Sequence, residues 1–239
     1  MSQHNLSFQH RLRTLLVRQY RVAIAFVVLV ILFSVNAYFN PRIFEPFLIQ
    51  NMVNQSMTLV LAGMAQTCVV LTSGIDLSVG PIISLTNSLA STVFVDTPFG
   101  MVGTAILVLC VGALCGLING LIVVFGRLQP IIITLATGSI YSGIALFLRP
   151  TPGGFVHRPF ADLLTDRLGL LPHAAIVLLV VILFVWTPYR RSKWGLWLYA
   201  IGGNEGAAYM SGVNVRAAKL GAYIMGGLFA GMAGLFLSA

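Results

Sequence analysis

PYRRSKWGLWLYAIGGNEGAAYMSGVNVRAAK, residues 188–219, is the only long polar interruption late in an otherwise apolar chain. It holds five of the fourteen Lys and Arg residues: Arg190, Arg191, Lys193, Arg216 and Lys219. Apolar runs of membrane-crossing quality flank it, and basic segments resist translocation, so it is expected on the cytoplasmic side of a membrane. Its middle, Gly202 to Gly212, reads as a short helix. Asn204 can cap the start by accepting from unpaired backbone N–H groups, and Gly212 can take the left-handed position that ends it. A capped surface helix between two spans has the character of a docking element.

Outward from this segment the composition is that of a membrane protein. Hydrophobic residues make up 58% of the 239 and charged residues 8%, a balance that would coat a soluble globule in apolar surface. Apolar runs near the length that crosses the hydrocarbon layer occur at about 22–39, 48–73, 79–95, 101–125, 130–148, 173–187 and 220–239. The expected fold is all-α, a polytopic transmembrane bundle of about seven spans. Residues 1–21 form a basic N-terminal segment, and 22–239 a single transmembrane domain with the loop at 188–219.

Charge fixes the expected orientation. With the N-terminus cytoplasmic, the inside segments hold ten basic residues (Arg11, Arg13, Arg18, Arg21, Arg127 and the five above) against Asp76 and Glu205. The outside segments hold Arg42, Arg149, Arg158 and Arg167 against Glu45, Asp96, Asp162 and Asp166. That asymmetry accounts for the net charge of +8 without nucleic acid, since the basic residues flank apolar runs instead of lining one helical face. The first apolar run also resembles a signal peptide, with Val35 to Ala37 as a cleavage site, but it continues to Phe39 and suits an uncleaved anchor. Cys68, Cys110 and Cys115 all lie in apolar runs and suggest neither a disulfide framework nor a metal site. His157 and His173, in the Pro- and Gly-rich outer loop, have no metal-motif spacing.

Polar residues inside the apolar runs are the candidate functional groups. Asp76, in TSGIDLSVG at 72–80, is the only acid at membrane depth. It is read as the N-cap of the third span or as a gate, with Ser78 beside it and Gly74 and Gly80 easing the turn. Asn54, Gln55, Thr58, Gln66, Ser84, Asn87 and Ser88 crowd the second and third spans. Neutral amides and hydroxyls suit a wet path for a polyhydroxy solute, and equally suit ordinary interhelical hydrogen bonds. Gly112, Gly116 and Gly120 recur at every fourth residue, as do Gly227 and Gly231; close helix packing within one subunit is the simpler reading and a dimer seam the other.

Chemistry of other kinds has no residues to carry it. No Lys precedes position 193 and no Gly-x4-Gly-Lys-Ser/Thr loop exists, so any ATP hydrolysis belongs to another polypeptide. No His-Glu-x-x-His motif and no span with a nucleophile beside a His is found, so an enzyme and a bound cofactor are not expected.

Three segments together resemble the permease subunits of sugar-type ABC importers, the ribose/xylose/arabinose group related to branched-chain amino-acid permeases. They are GIDLSVG at 74–80, GLING at 116–120 with QPIIITL at 129–135, and AIGGNE at 200–205 with Ala207, Ala208, Ser211 to Val215 and Lys219, leading to Tyr223 and GMAG at 231–234. The resemblance implies that Gly203, Asn204, Glu205, Ala207, Ala208, Ser211 and Gly212 form the helix that couples to an ATPase. It further implies a permease homodimer in the lipid of a bacterial inner membrane, a separate ABC ATPase subunit and a periplasmic sugar-binding protein. A neutral carbohydrate would be the cargo. Relatives continue through further spans, so the chain is expected to be C-terminally short; an ion-coupled secondary transporter and a non-transporting remnant are the alternatives.

Overall fold

The computed structural model describes residues 23–93, 97–151, 156, 158–169 and 171–239. The basic segment with Arg11, Arg13, Arg18 and Arg21 lies outside the described residues, as do Asp96 and His157. Two compact units are present, one ending at Ile49 and the other running from Gln50 to Ala239. In the first, helix α1 (Ala23–Phe39) precedes a 3-10 turn (Pro41–Phe44) in which Phe44 packs edge-on against Phe33, ring centroids 6.2 Å apart. Val35 to Ala37 are ordinary helical residues of α1.

Helix α2 (Pro46–Val70) leads into the second unit, which contains α3 (Val79–Val93), α4 (Pro98–Gly126), α5 (Pro130–Leu148) and the short α6 (Arg158–Thr165). A two-residue hairpin, β1 (Arg167–Leu168) with β2 (Leu171–Pro172), joins α6 to α7 (His173–Arg191). Then come α8 (Lys193–Gly203), α9 (Glu205–Met210) and α10 (Val215–Ser238). The expected helical membrane bundle is what forms. Among the described residues four helices, α4, α5, α7 and α10, are both long and apolar enough to cross a membrane. Helix α2 has the length but carries Gln50, Asn51, Asn54, Gln55 and Gln66, while α3 has 15 residues and α1 has 17.

One expectation is corrected. The stretch 188–219 is not an open loop: α7 runs to Arg191, and α8, α9 and the start of α10 occupy most of the rest. Apolar Trp194, Leu198 and Ile201 recur at helical spacing, Leu198 and Ile201 are buried, and the Ser192 hydroxyl accepts from Gly195 N–H to start α8. Within α7 a π-turn (Val181–Trp186) precedes Pro188, whose ring would strike the carbonyl four residues back in a regular helix. The Ile182 carbonyl accepts both the Thr187 N–H, as the π-turn requires, and the Thr187 hydroxyl at 2.7 Å.

Helix α10 is the hub of the unit, and each neighbour meets a different glycine. A Cβ at Gly227 would overlap the Gly112 carbonyl of α4, and one at Gly116 the Tyr223 carbonyl of α10. Gly226 faces the Ala65 carbonyl of α2 at 3.2 Å from a would-be Cβ, and a Cβ at Gly234 would overlap the Thr86 hydroxyl of α3. The glycine repeats of α4 and α10 therefore face one another inside one chain, and the dimer-seam reading of them falls.

Candidate functional site

Three polar constellations stand out in the second unit. The first surrounds α9. Asn204 ends α8 and caps α9, its Oδ1 accepting from Ala207 N–H at 2.9 Å. At the other end Gly212 has φ +84, its N–H donating to the Tyr209 carbonyl while Val213 N–H donates to that of Ala208, the paired bonds of a Schellman stop. Lys219 Nζ lies 2.7 Å from Glu205 Oε2 and clips α9 to α10. Ala208 is buried and Gly203, Asn204, Glu205, Ala207, Ser211 and Gly212 are exposed; Tyr209 and Met210 stand 73% and 88% exposed. The α4–α5 turn forms the far wall of a groove of about 890 Å³ in which Arg127 and Leu128 face Glu205, Tyr209 and Arg216. Arg127 takes the left-handed conformation, φ 52, that ends α4.

These caps make a local prediction. Gly212→Ala should cost α9 about 1–2 kcal/mol through left-handed strain, and Asn204→Ala about 1 kcal/mol through the lost cap. Hydrogen exchange at the Ala207 to Val213 amides measures both, and protection equal to the parent's in either variant would contradict the capping geometry.

The second constellation is buried. Asp76 Oδ1 accepts from Ser78 N–H at 2.8 Å and from the Ser78 hydroxyl at 2.6 Å. Ser78 Oγ in turn accepts from Asn119 Nδ2 of α4 at 2.7 Å, and Asn119 Oδ1 lies 3.2 Å from the Tyr141 hydroxyl of α5, which also reaches the Cys115 carbonyl at 3.1 Å. Leu77 N–H donates to Thr134 Oγ1 at 2.9 Å. Asp76, Ser78, Asn119, Thr134 and Tyr141 are all buried. Asn119 stands seven residues before the end of α4, so at ~1.5 Å per residue the network lies about 10 Å inside that end of the bundle.

Here too the structure refines the expectation. The carbonyl of Ser78, not of Asp76, accepts the first bond of α3, from Ile82 N–H, which puts Ser78 at the N-cap and Asp76 two residues before it. The turn's left-handed residue is Ser73, φ 60, so neither Gly74 nor Gly80 is required for that purpose. Gly74 is needed for space, since a Cβ there would stand 2.9 Å from a Val69 methyl; Gly80 faces open space.

The third constellation lies at the opposite end. Asn54, Gln55 and Thr58 line a pocket of about 520 Å³ with Asn51 and Thr165. Asn54 Nδ2 and Gln50 Nε2 both donate to the Thr165 carbonyl, at 2.8 and 2.7 Å, and Asn54 Oδ1 is buried without a hydrogen-bond partner among the described residues. Gln66 is half-buried farther along α2, outside this pocket. On α3, Ser84 is exposed and Asn87 and Ser88 are half-buried, their carbonyls accepting from the Ser91 hydroxyl. The seven residues expected to share one path therefore fall into separate groups.

Sequence reasoning singled out neither Asn119 nor Tyr141 individually. A signal was present, because Asn119 is the only amide in the apolar run 98–126, and a lone amide at membrane depth is costly without partners. Among the described residues no group of His, Cys, Asp and Glu could hold a metal ion, and the three cysteines are free thiols.

The sequence has relatives. The family described as "Branched-chain amino acid transport system / permease component" matches residues 48–239. The ribose import permease protein of Haemophilus influenzae is 32% identical over 221 residues, covering 90% of this chain and 68% of the relative. The ribose import permease protein of Bacillus subtilis is 34% identical, covering 90% and 67%. The D-allose transport system permease protein of Escherichia coli is 33% identical, covering 90% and 66%. The chain thus spans about two thirds of the length of these relatives. No solved structure matches it.

Proposed function

Starting from the fact that the chain belongs to the branched-chain amino acid transport system / permease component family, we propose that it is the membrane-spanning permease subunit of an ATP-binding-cassette importer that moves a neutral sugar inward. It performs no hydrolysis itself; a separate ATPase subunit does. Helix α9 faces the cytoplasm of a bacterial inner membrane, and a second permease copy and a periplasmic binding protein complete the assembly within its lipid.

The observation that carries this reading is α9 itself. A six-residue helix capped at both ends, clipped by Lys219 to α10 and holding Tyr209 and Met210 out into solvent is built to be gripped by another protein. The ATPase would seat on α9 and against Arg127 and Arg216 in the adjoining groove. The neutral polar pocket with an unpartnered Asn54 acceptor suits a sugar hydroxyl donor entering from the other side. Transport follows alternating access: closure of the ATPases draws the two copies of α9 together, and each of two bundle arrangements opens to one side only.

Alanine at both Tyr209 and Met210 tests it. Two exposed anchors lost together should weaken ATPase binding by about tenfold or more while leaving membrane insertion untouched. Uptake of radiolabelled sugar into proteoliposomes should fall in step. Unchanged ATPase binding with unchanged uptake would refute the docking role.

A further inference from the structure

The eight residues Leu71 to Ser78 lead into α3 and touch five other helices. Thr72 and Gly74 N–H both donate to the Val69 carbonyl and Ser73 N–H to that of Val70, which anchors the turn on α2. Leu77 N–H reaches Thr134 of α5, and Ser78 accepts from Asn119 of α4. A Cβ on Gly74 would stand 3.5 Å from the Tyr223 hydroxyl of α10. The fifth contact is with α8: a Cβ on Gly202 would overlap the Leu71 carbonyl. That glycine sits two residues before Asn204, the residue that caps α9.

We propose that Gly202 is a positioning residue for transport, the point at which displacement of α9 is delivered to the Leu71–Ser78 turn and through it to the Asp76, Asn119 and Tyr141 network. The proposal rests on the permease reading above. Gly202 and Leu71 meet backbone to backbone, with no side chain between them to change rotamer and absorb a shift. A push on α9 therefore moves the Leu71 carbonyl, and the turn hands the movement to α3, α4 and α5 by the hydrogen bonds at Asp76, Asn119 and Thr134. Close-packed contacts of this kind switch between discrete arrangements instead of deforming gradually. Ser73, held at φ 60 without being glycine, places local strain in the same turn, as switch segments commonly do.

A glycine of α2 supplies the control. Gly63 has open space where its Cβ would go, so Gly202→Ala and Gly63→Ala add the same methyl, one against the turn and one against nothing. Both variants of the full chain are reconstituted with the ATPase subunit, in a background where the exposed Cys110 is replaced by alanine and Ile75, itself 44% exposed, by cysteine. Gly202→Ala should bind the ATPase within about twofold of the parent, since α9 is untouched. Sugar moved per ATP hydrolysed should fall about tenfold, the size of a typical coupling free energy. The thiol-labelling rate at Ile75→Cys should change about fivefold on ATP binding in the parent and in Gly63→Ala, and not in Gly202→Ala. Equal sugar per ATP in the two alanine variants, or labelling insensitive to ATP in a parent that transports, overturns the proposal. If Gly202→Ala does not fold, the parent's labelling decides alone. A parent that neither binds an ATPase nor imports sugar removes the permease reading first and this inference with it.

Discussion

Gly116→Val leaves almost no folded protein to purify. A Cβ at this position would overlap the Tyr223 carbonyl and stand 3.2 Å from the Gly227 Cα, so the added group meets main chain on α10 rather than a side chain that can turn away. Lipid gives apolar helices no hydrophobic reason to associate, and van der Waals fit between α4 and α10 has to hold them. Overpacking a core usually costs about 1–3 kcal/mol because neighbours adjust; here the neighbour is a helix backbone, and the cost should reach the top of that range or exceed it. The monodisperse peak of detergent-extracted, fluorescently tagged protein should shrink about tenfold, which is ~1.4 kcal/mol or more at equilibrium. Gly103→Val, in the same helix but facing open space, should keep its peak. Matching peaks for the two variants would mean that α4 and α10 do not meet as described.

The second large effect concerns Asp76 and separates its charge from its hydrogen bonding. Asp76→Ala strands the Ser78 N–H and takes away the acceptor of the Ser78 hydroxyl, at a site where all partners are buried. A buried polar group left unsatisfied costs about 1–3 kcal/mol, and Asn119 loses a well-oriented partner as well. Asp76→Asn keeps a carbonyl oxygen where Oδ1 sits and should retain both bonds. The thermal midpoint in detergent should therefore drop by many degrees for alanine and by only a few for asparagine. Sugar uptake should be lost in Asp76→Ala with the network it depends on. Equal midpoints for Ala and Asn would show that the Ser78 contacts contribute nothing to the fold.

How much of this could be read beforehand depends on whether a feature is local. The helical membrane bundle was legible because apolar length is a one-dimensional signal, and the run at 130–148 coincides with α5. The short helix beginning after Asn204 and stopping at Gly212 was equally legible, since caps act within a few residues of themselves. Helix α8 is not legible in the sequence because three glycines and a cluster of positive charge suggest a loop, whereas its stability comes from burying Leu198 and Ile201, which only tertiary structure provides. Gly112, Gly116, Gly227 and Gly231 announced close packing, but which ladder meets which is a long-range matter. Asp76 stands two residues before the N-cap of α3, an offset the sequence does not show, because the acid's preference for N–H groups says nothing about which turn offers them. Asn119 and Tyr141, from separate helices, become a site only once those helices are side by side.

Helix α10 is also a problem of timing. Ribosomes deliver α2, α3 and α4 to the bilayer before the helix whose glycines fit all three. Until it arrives, Gly112 and Gly116 of α4 and the Ala65 face of α2 have only lipid to rest against. The bonds between Ser78 and Asn119 and between Asn119 and Tyr141 can join α3, α4 and α5 early, but the glycine face of α4 and the Ala65 face of α2 are completed only when α10 arrives.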